Sequence, residues 1–244
     1  MITGILAYLM TPILIWILYE GIRARILIAN GTAIAKRTIA YQQNNPKSKT
    51  KILIVGDSSG LGVGAESPLL SVAGRFGKDY PKAHIVNLAR NGQKIKELAI
   101  NFNPENYKNY DLVLVHIGGN DILRFTPWNI VNRYIHPVLG KAKNASKNVI
   151  LIHGGNMGIA PFFHRPLAYI FTYRTRIMRK ILKRASKEMG AIYLDLFNER
   201  DEPESMKYHS KSYYATDKFH LSGKGYDVWY YFIRNAMREN HISL

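Results

Sequence analysis

The sequence predicts a three-layer, doubly wound α/β domain built on a parallel five-stranded sheet, with one apolar helix in front of it. Three observations carry that prediction. Five short apolar runs rich in β-branched residues recur along the chain, stretches with helical spacing separate them, and polar residues suited to chemistry follow directly after the runs. Apolar runs without strict alternation suit strands buried on both faces, which is the condition of a parallel sheet covered by helices.

The runs are Ile52 to Val55, His84 to Ala89, Leu112 to Ile117, Val149 to His153 and Ala191 to Leu196. Helical patterns lie near Leu69 to Phe76, Gln93 to Asn101, Pro127 to Lys143, Leu167 to Met189 and Gly223 to Glu239. Regular alternation of strand and helix implies right-handed crossovers. In such a sheet ligands bind outside the carboxyl ends of the strands.

Ahead of this pattern, Ile2 to Tyr19 carries no charge. As a helix that segment spans roughly 27 Å, close to the apolar thickness of a bilayer. No Lys or Arg precedes it, as a secretory signal would require. The expectation is therefore an uncleaved, single-pass anchor at residues 1–25, a linker at 26–50 and a catalytic domain at 51–244. Arg23, Arg25, Lys36 and Arg37 follow the apolar segment, which by the positive-inside rule favours a catalytic part on the cytoplasmic side of a bacterial inner membrane.

The chain has 244 residues, enough for one sizeable domain with a buried sheet. Lys plus Arg number 34 against 17 Asp plus Glu, a formal net charge of +17. That balance favours contact with an anionic surface, an anionic membrane being the partner expected here. No nucleic-acid motif accompanies the charge. There is no cysteine, which excludes disulfides, thiolate zinc sites and a cysteine nucleophile. No HxxxH or paired-carboxylate spacing suggests a metal, and neither metal nor organic cofactor is expected. Gly60, Gly62 and Ala65 meet a loose dinucleotide-turn pattern, but no acidic residue ends the second run to read a ribose.

The chemistry gathers after the apolar runs. Gly56-Asp57-Ser58 follows the first, Arg90-Asn91-Gly92 the second and Gly118-Gly119-Asn120-Asp121 the third, while Asp217-Lys218-Phe219-His220 precedes the last helical pattern. A serine needs a base to become a nucleophile, and histidine suits that task near neutrality. Asp217, three residues before His220, can orient the imidazole. The backbone N–H groups of Ser58 and Gly92 and the side-chain amide of Asn120 are candidate donors to an oxyanion, the small residues around Ser58 letting amides come close. Asp57 and Asp121 read as structural acceptors of loop N–H groups. His116 and His153, within or ending strands, read as core or rim residues. Asp195 is too far from His220 in sequence to be the simpler choice of triad acid.

These blocks together resemble the SGNH hydrolases, or GDSL esterase/lipase family, whose Ser, Gly, Asn and His blocks correspond here to Ser58, Gly92, Asn120 and His220. Ser59 stands where the family name has Leu, at a position with no chemical role in this scheme. The resemblance implies a flavodoxin-like fold over Lys51 to the C-terminus, no metal or cofactor, and ester or thioester hydrolysis through an acyl-enzyme. The leading expectation is a membrane-anchored serine esterase acting on lipid-type acyl esters, such as a lysophospholipase or thioesterase. The aromatic loop from Gly158 to Leu167 is expected to face lipid or bind the acyl group. An O-deacetylase of an acetylated carbohydrate or cell-wall polymer is the alternative, and a catalytically silent scaffold the third reading. Oligomeric state is left open.

Overall fold

The computed structural model describes residues 2–199 and 210–244. Its sheet has five parallel strands in the order β2-β1-β3-β4-β5. These are β1 (Lys51–Gly56), β2 (His84–Asn87), β3 (Leu112–His116), β4 (Val149–Ile152) and β5 (Ile192–Leu194). Each coincides with a predicted apolar run to within a few residues. In chain order the helices are α1 (Ile2–Arg37), α2 (Ser58–Leu61), α3 (Val72–Asp79), α4 (Ile95–Asn101), α5 (Gly119–Leu123), α6 (Trp128–Ala145), α7 (Leu167–Glu188) and α8 (Gly223–Glu239).

The period of two along each strand sorts the apolar side chains into two cores. Leu53, Val55, Val113, Val115 and Leu151 join Ile95, Ile135, Leu139, Met178 and Leu182 from α4, α6 and α7. On the opposite face Ile52, Ile54, Leu112, Leu114 and Ile150 meet Val72, Phe76, Tyr226 and Ile233 from α3 and α8. Burying each such side chain stabilises the fold by roughly 1.5–3 kcal/mol, which is why the runs lack the alternation of a half-solvated sheet. From β1 the chain passes to one side for β2 and to the other for β3, so a crevice opens at the carboxyl ends of these three strands.

The two shortest helices, α2 and α5, have no counterpart among the predicted elements. Each is a single turn or slightly more, too short to show periodicity. The segment expected as a linker is also structured. α1 continues to Arg37, and Gln43 pairs with Ile85 at the edge of β2, its N–H donating to the Ile85 carbonyl at 3.0 Å and its own carbonyl accepting from the Ile85 N–H at 2.9 Å. The Gln43 amide also donates to the carbonyls of Tyr80 and Ala83. These bonds satisfy edge groups of the sheet that would otherwise stand open.

The membrane-anchor expectation is corrected here. Among the described residues no helix is long and apolar enough to cross a membrane, and the placement of the catalytic part on one side of a bilayer falls with it. The apolar segment belongs to a 36-residue helix that runs on through Glu20, Arg23 and Arg25. Its second half is docked on the domain: Leu27 is buried, and the Arg23 guanidinium donates to the Phe162 carbonyl at 2.8 Å. Hydropathy in a window marks an apolar helix, but it does not say whether lipid or protein covers its apolar face.

Candidate active site

Ser58 stands at the first position of α2, immediately after β1 and the N-cap residue Asp57. The Asp57 carboxylate accepts the Ser59 N–H at 3.0 Å and the Ser59 hydroxyl at 2.8 Å, while the Asp57 N–H donates to the His116 carbonyl at 2.7 Å. One buried side chain thus ties the serine turn to itself, and its neighbouring amide ties it to β3. Burial pushes the Asp57 carboxyl up to about 6, partly offset by the two donors of Ser59. Ser59, which has no part in the expected chemistry, is therefore a positioning residue of the turn; nothing in its spacing marks it in the sequence.

His220 meets Ser58 from across the crevice, its Nε2 lying 3.2 Å from the serine Oγ. On the other side of the ring, Nδ1 is 2.5 Å from Oδ2 of Asp217. A carboxylate only accepts, so the Nδ1 proton points to Asp217 and Nε2 is free to accept from the Ser58 hydroxyl. Asp217 is 2% exposed. Burial raises its carboxyl, but the ring and charge of His220 and the N–H groups of Phe219 and His220, each at 3.0 Å, outweigh that and hold it below the usual carboxylate range. The carboxylate that meets the ring is thus the one three residues before it in sequence. Asp195, the rival, is bound instead by Arg179 at 2.7–3.0 Å.

The glycines after Ser58 have a role that the sequence reading assigned differently. Gly64 has φ of +99°, and a Cβ there would lie 2.3 Å from the Leu221 carbonyl oxygen and 2.9 Å from the His220 Cβ. Small residues in this turn therefore let the His220 loop close against it, which brings the two ends of the chain's chemistry together. Gly92 does adopt positive φ, +77°, at the end of the loop after β2.

Asn120 lies in the first turn of α5, after β3. Its neighbour Asp121, fully buried, accepts the Ile95 N–H at 3.0 Å and so joins this turn to the start of α4, just beyond Gly92. Burial raises the Asp121 carboxyl against that amide bond. Arg174 of α7 holds the far end of the turn, donating to the Ile122 carbonyl at 3.0 Å while its guanidinium lies 4.4 Å from the rings of both Phe125 and Trp128. Nothing local in the sequence points to Arg174, because its partners lie 46 to 52 positions away.

Two other histidines sit in the core. His116 and His153 are buried, and burial depresses them to about 3 and about 4. His116 stacks on Trp229, and His153 lies 2.9 Å from the Tyr193 hydroxyl. Among the described residues no three His, Asp or Glu side chains are grouped to hold a metal ion.

Ser58, Gly92, Asn120, Asp217 and His220 all border one cavity of about 920 Å³. Its other walls are largely apolar. The loop after β4 does not present its aromatics to solvent: Phe163 is 4% exposed and stacks 4.2 Å from Phe171, while Phe162 and Phe163 both contact Phe219. The Phe162 N–H donates to the Lys218 carbonyl at 3.0 Å, linking this wall to the His220 loop. The site can accept an acyl compound with an apolar part, activate a serine by proton removal and stabilise a developing oxyanion.

Residues 54–228, more than half of the chain, match the GDSL-like lipase/acylhydrolase family. Solved structures share the fold. A catalytic mutant of Axe2, an acetylxylan esterase from Geobacillus stearothermophilus, superposes with a TM-score of 0.60 at 16% identity, covering 78% of this chain and 94% of that one. The lipase Lip_vut3 from a goat rumen metagenome gives 0.57 at 18% identity, covering 77% and 97%. The psychrotrophic esterase EstA from Pseudoalteromonas sp., inhibited by monoethylphosphonate, gives 0.56 at 14%, covering 78% and 98%. No curated protein sequence matches the chain.

Proposed function

The chain belongs to the GDSL-like lipase/acylhydrolase family, making it a carboxylic ester hydrolase, and on that premise we propose that it cleaves acyl esters with an apolar acyl chain through a Ser58 acyl-enzyme. One observation carries the reading: the continuous relay from Ser58 through His220 to Asp217 borders a large, mainly apolar cavity.

In the proposed cycle, Nε2 of His220 removes the Ser58 proton as Oγ attacks the ester carbonyl. Asp217 holds the ring in the required tautomer and balances the imidazolium that forms. Charge developing on the carbonyl oxygen is met by the N–H groups of Ser58 and Gly92 and by the Asn120 amide. His220 then gives its proton to the leaving alcohol, and the acyl group remains on Oγ. Water, deprotonated by the same Nε2, attacks the acyl-enzyme and releases the acid.

Lipid-type substrates, lysophospholipids and acyl thioesters among them, suit the walls formed by Leu27, Phe162, Phe163 and Phe171. The second reading, O-deacetylation of a carbohydrate, draws on the acetylxylan esterase that shares the fold. A two-carbon acyl group would leave most of the cavity unfilled, which favours the first. A scaffold without catalysis has no use for an assembled relay.

The test is to treat the full-length protein with a fluorophosphonate and then assay p-nitrophenyl esters from acetate to palmitate. The expected result is labelling at Ser58 and faster turnover of medium and long chains. Strict acetyl preference would sink the lipid reading, and labelling elsewhere would sink the assignment of the nucleophile.

A further inference from the structure

We infer that the second half of α1 is the specificity wall of the acyl pocket, held in place by a polar latch, and that it selects acyl chains by length. The inference rests on the ester-hydrolase reading above and deepens it. Ala24, Leu27, Ile28, Gly31, Thr32 and Ala35 border the same cavity as Ser58 and His220. Their spacing of three and four places them on one face of the helix. Leu27 is buried, Ala24, Gly31 and Ala35 are half-buried, and Ile28 and Thr32 at the margin of this face are exposed. A half-buried face that lines the cavity holding a nucleophile is a substrate wall by position.

The closeness of this wall to the relay is measurable. A Cβ at Gly31 would lie 2.9 Å from Oδ2 of Asp217, so the helix backbone passes directly over the triad acid. An acyl chain extending from the carbonyl bonded to Ser58 Oγ has this face of α1 and the Phe162/Phe163 loop beside it. Bulk at Leu27 or Ala24 therefore sets the room left for it.

The latch explains how one helix can act as a fixed wall. The Glu20 carboxylate accepts from Arg23 Nε at 3.0 Å and Nη2 at 2.6 Å, and its other oxygen lies 2.7 Å from Nδ1 of His164. Arg23 Nη2 also donates to the Phe162 carbonyl at 2.8 Å. Both side chains of the pair are mostly buried, 11% and 16% exposed. Burial raises the Glu20 carboxyl, but the bonds from Arg23 and His164 outweigh it and hold it below the usual range. Removing one partner leaves the other charge largely buried without compensation, so the latch fastens α1 to the Phe162 loop that borders the same pocket.

The experiment compares kcat/KM for p-nitrophenyl dodecanoate and acetate in the full chain, in Leu27→Trp and Ala24→Phe, which narrow the pocket from two positions, and in Glu20→Gln, which loosens the latch. Fluorophosphonate labelling and thermal midpoint verify that each variant is folded and its serine competent. The dodecanoate-to-acetate ratio is expected to fall about tenfold or more in either bulky variant, the scale on which apolar pockets discriminate. In Glu20→Gln it is expected to change by about threefold or more, with faster deuterium exchange in residues 24–35. A ratio within about twofold of the parent in every folded, labelled bulky variant overturns the wall while leaving the ester-hydrolase reading intact. A parent protein that neither labels nor cleaves any ester overturns both.

Discussion

Two walls of one cavity are built on opposite principles. The wall that carries the proposed chemistry consists of two turns that follow buried parallel strands and the turn before α8, each locked by a polar contact: Asp57 to the Ser59 N–H, Asp121 to the Ile95 N–H and Asp217 to the His220 ring. The facing wall consists of α1 and the loop after β4, held by apolar packing and by the Glu20–Arg23–His164 latch. Short-range hydrogen bonds fix positions to fractions of an ångström, as proton transfer needs. Apolar packing fixes volume and shape, as accommodating an acyl chain needs. On the proposed reading, rate and substrate choice fall to separate parts of this molecule, so that each is expected to be perturbed with little change in the other.

The largest expected effect breaks the catalytic wall alone. Ser58→Ala should lower kcat by about 10⁴-fold or more, while urea unfolding stays close to the parent because the side chain is only partly buried. A comparable loss of stability would mean that the two functions of the turn are not separable. Phe163→Ala attacks the facing wall and should do the reverse, costing about 3–5 kcal/mol in chemical denaturation as its contacts with Phe171 and Phe219 are lost. Asn120→Ala should reduce kcat by about 10²–10³-fold, equivalent to about 2.7–4 kcal/mol. Single-turnover kinetics would check that the loss lies in the chemical step rather than in binding.

The smallest effect is a pH dependence arising from groups beneath the walls. The unfolded chain protonates His116 and His153 below pH ~6.5, whereas burial keeps the folded residues neutral down to about 3 and about 4. The unfolded state then binds more protons, so stability falls with falling pH by about 1.4 kcal/mol per unit for each histidine. Asp57 acts in the opposite sense, since its carboxyl, raised to about 6, holds a proton in the fold that the unfolded chain has released. Between pH ~6 and ~4 one histidine slope is thereby offset, the raised Asp121 carboxyl acts in the same sense as Asp57, and a net fall of at most about 1.4 kcal/mol per unit is expected. Urea titrations across that range measure it, and His153→Phe should flatten the curve. A parent curve rising toward acid would contradict the burial of both histidines in neutral form.

The legibility of the molecule follows the same division. Ser58, Gly92 and Asn120 follow strands that hydropathy locates, and His220 precedes the last helix with Asp217 within one turn of it, so local spacing was enough to nominate them as a set. Ser59 was given no role because its bond to the cap residue two positions back leaves no periodic signature, and Arg174 escaped notice because its partners are assembled through space, from α7 to the carbonyls ending α5. The loop from Gly158 to Leu167 was marked as acyl-binding by its aromatics, yet their burial against Phe171 and Phe219 was not visible from composition. α1 is the clearest case. Its apolar residues were evident, and the surface that covers part of them was not.

The sequence by itself determined which apolar runs form strands, the two-faced burial of the sheet and the residue types at its carboxyl edge, because these depend on period and spacing over a few residues. Tertiary structure alone decided that α1 lies over the cavity, that the Phe162 loop closes it, and that Gly64 admits the His220 loop. Those outcomes depend on which apolar surfaces meet after the chain has folded. Burial is indifferent to sequence distance, whereas hydropathy and motif spacing are local.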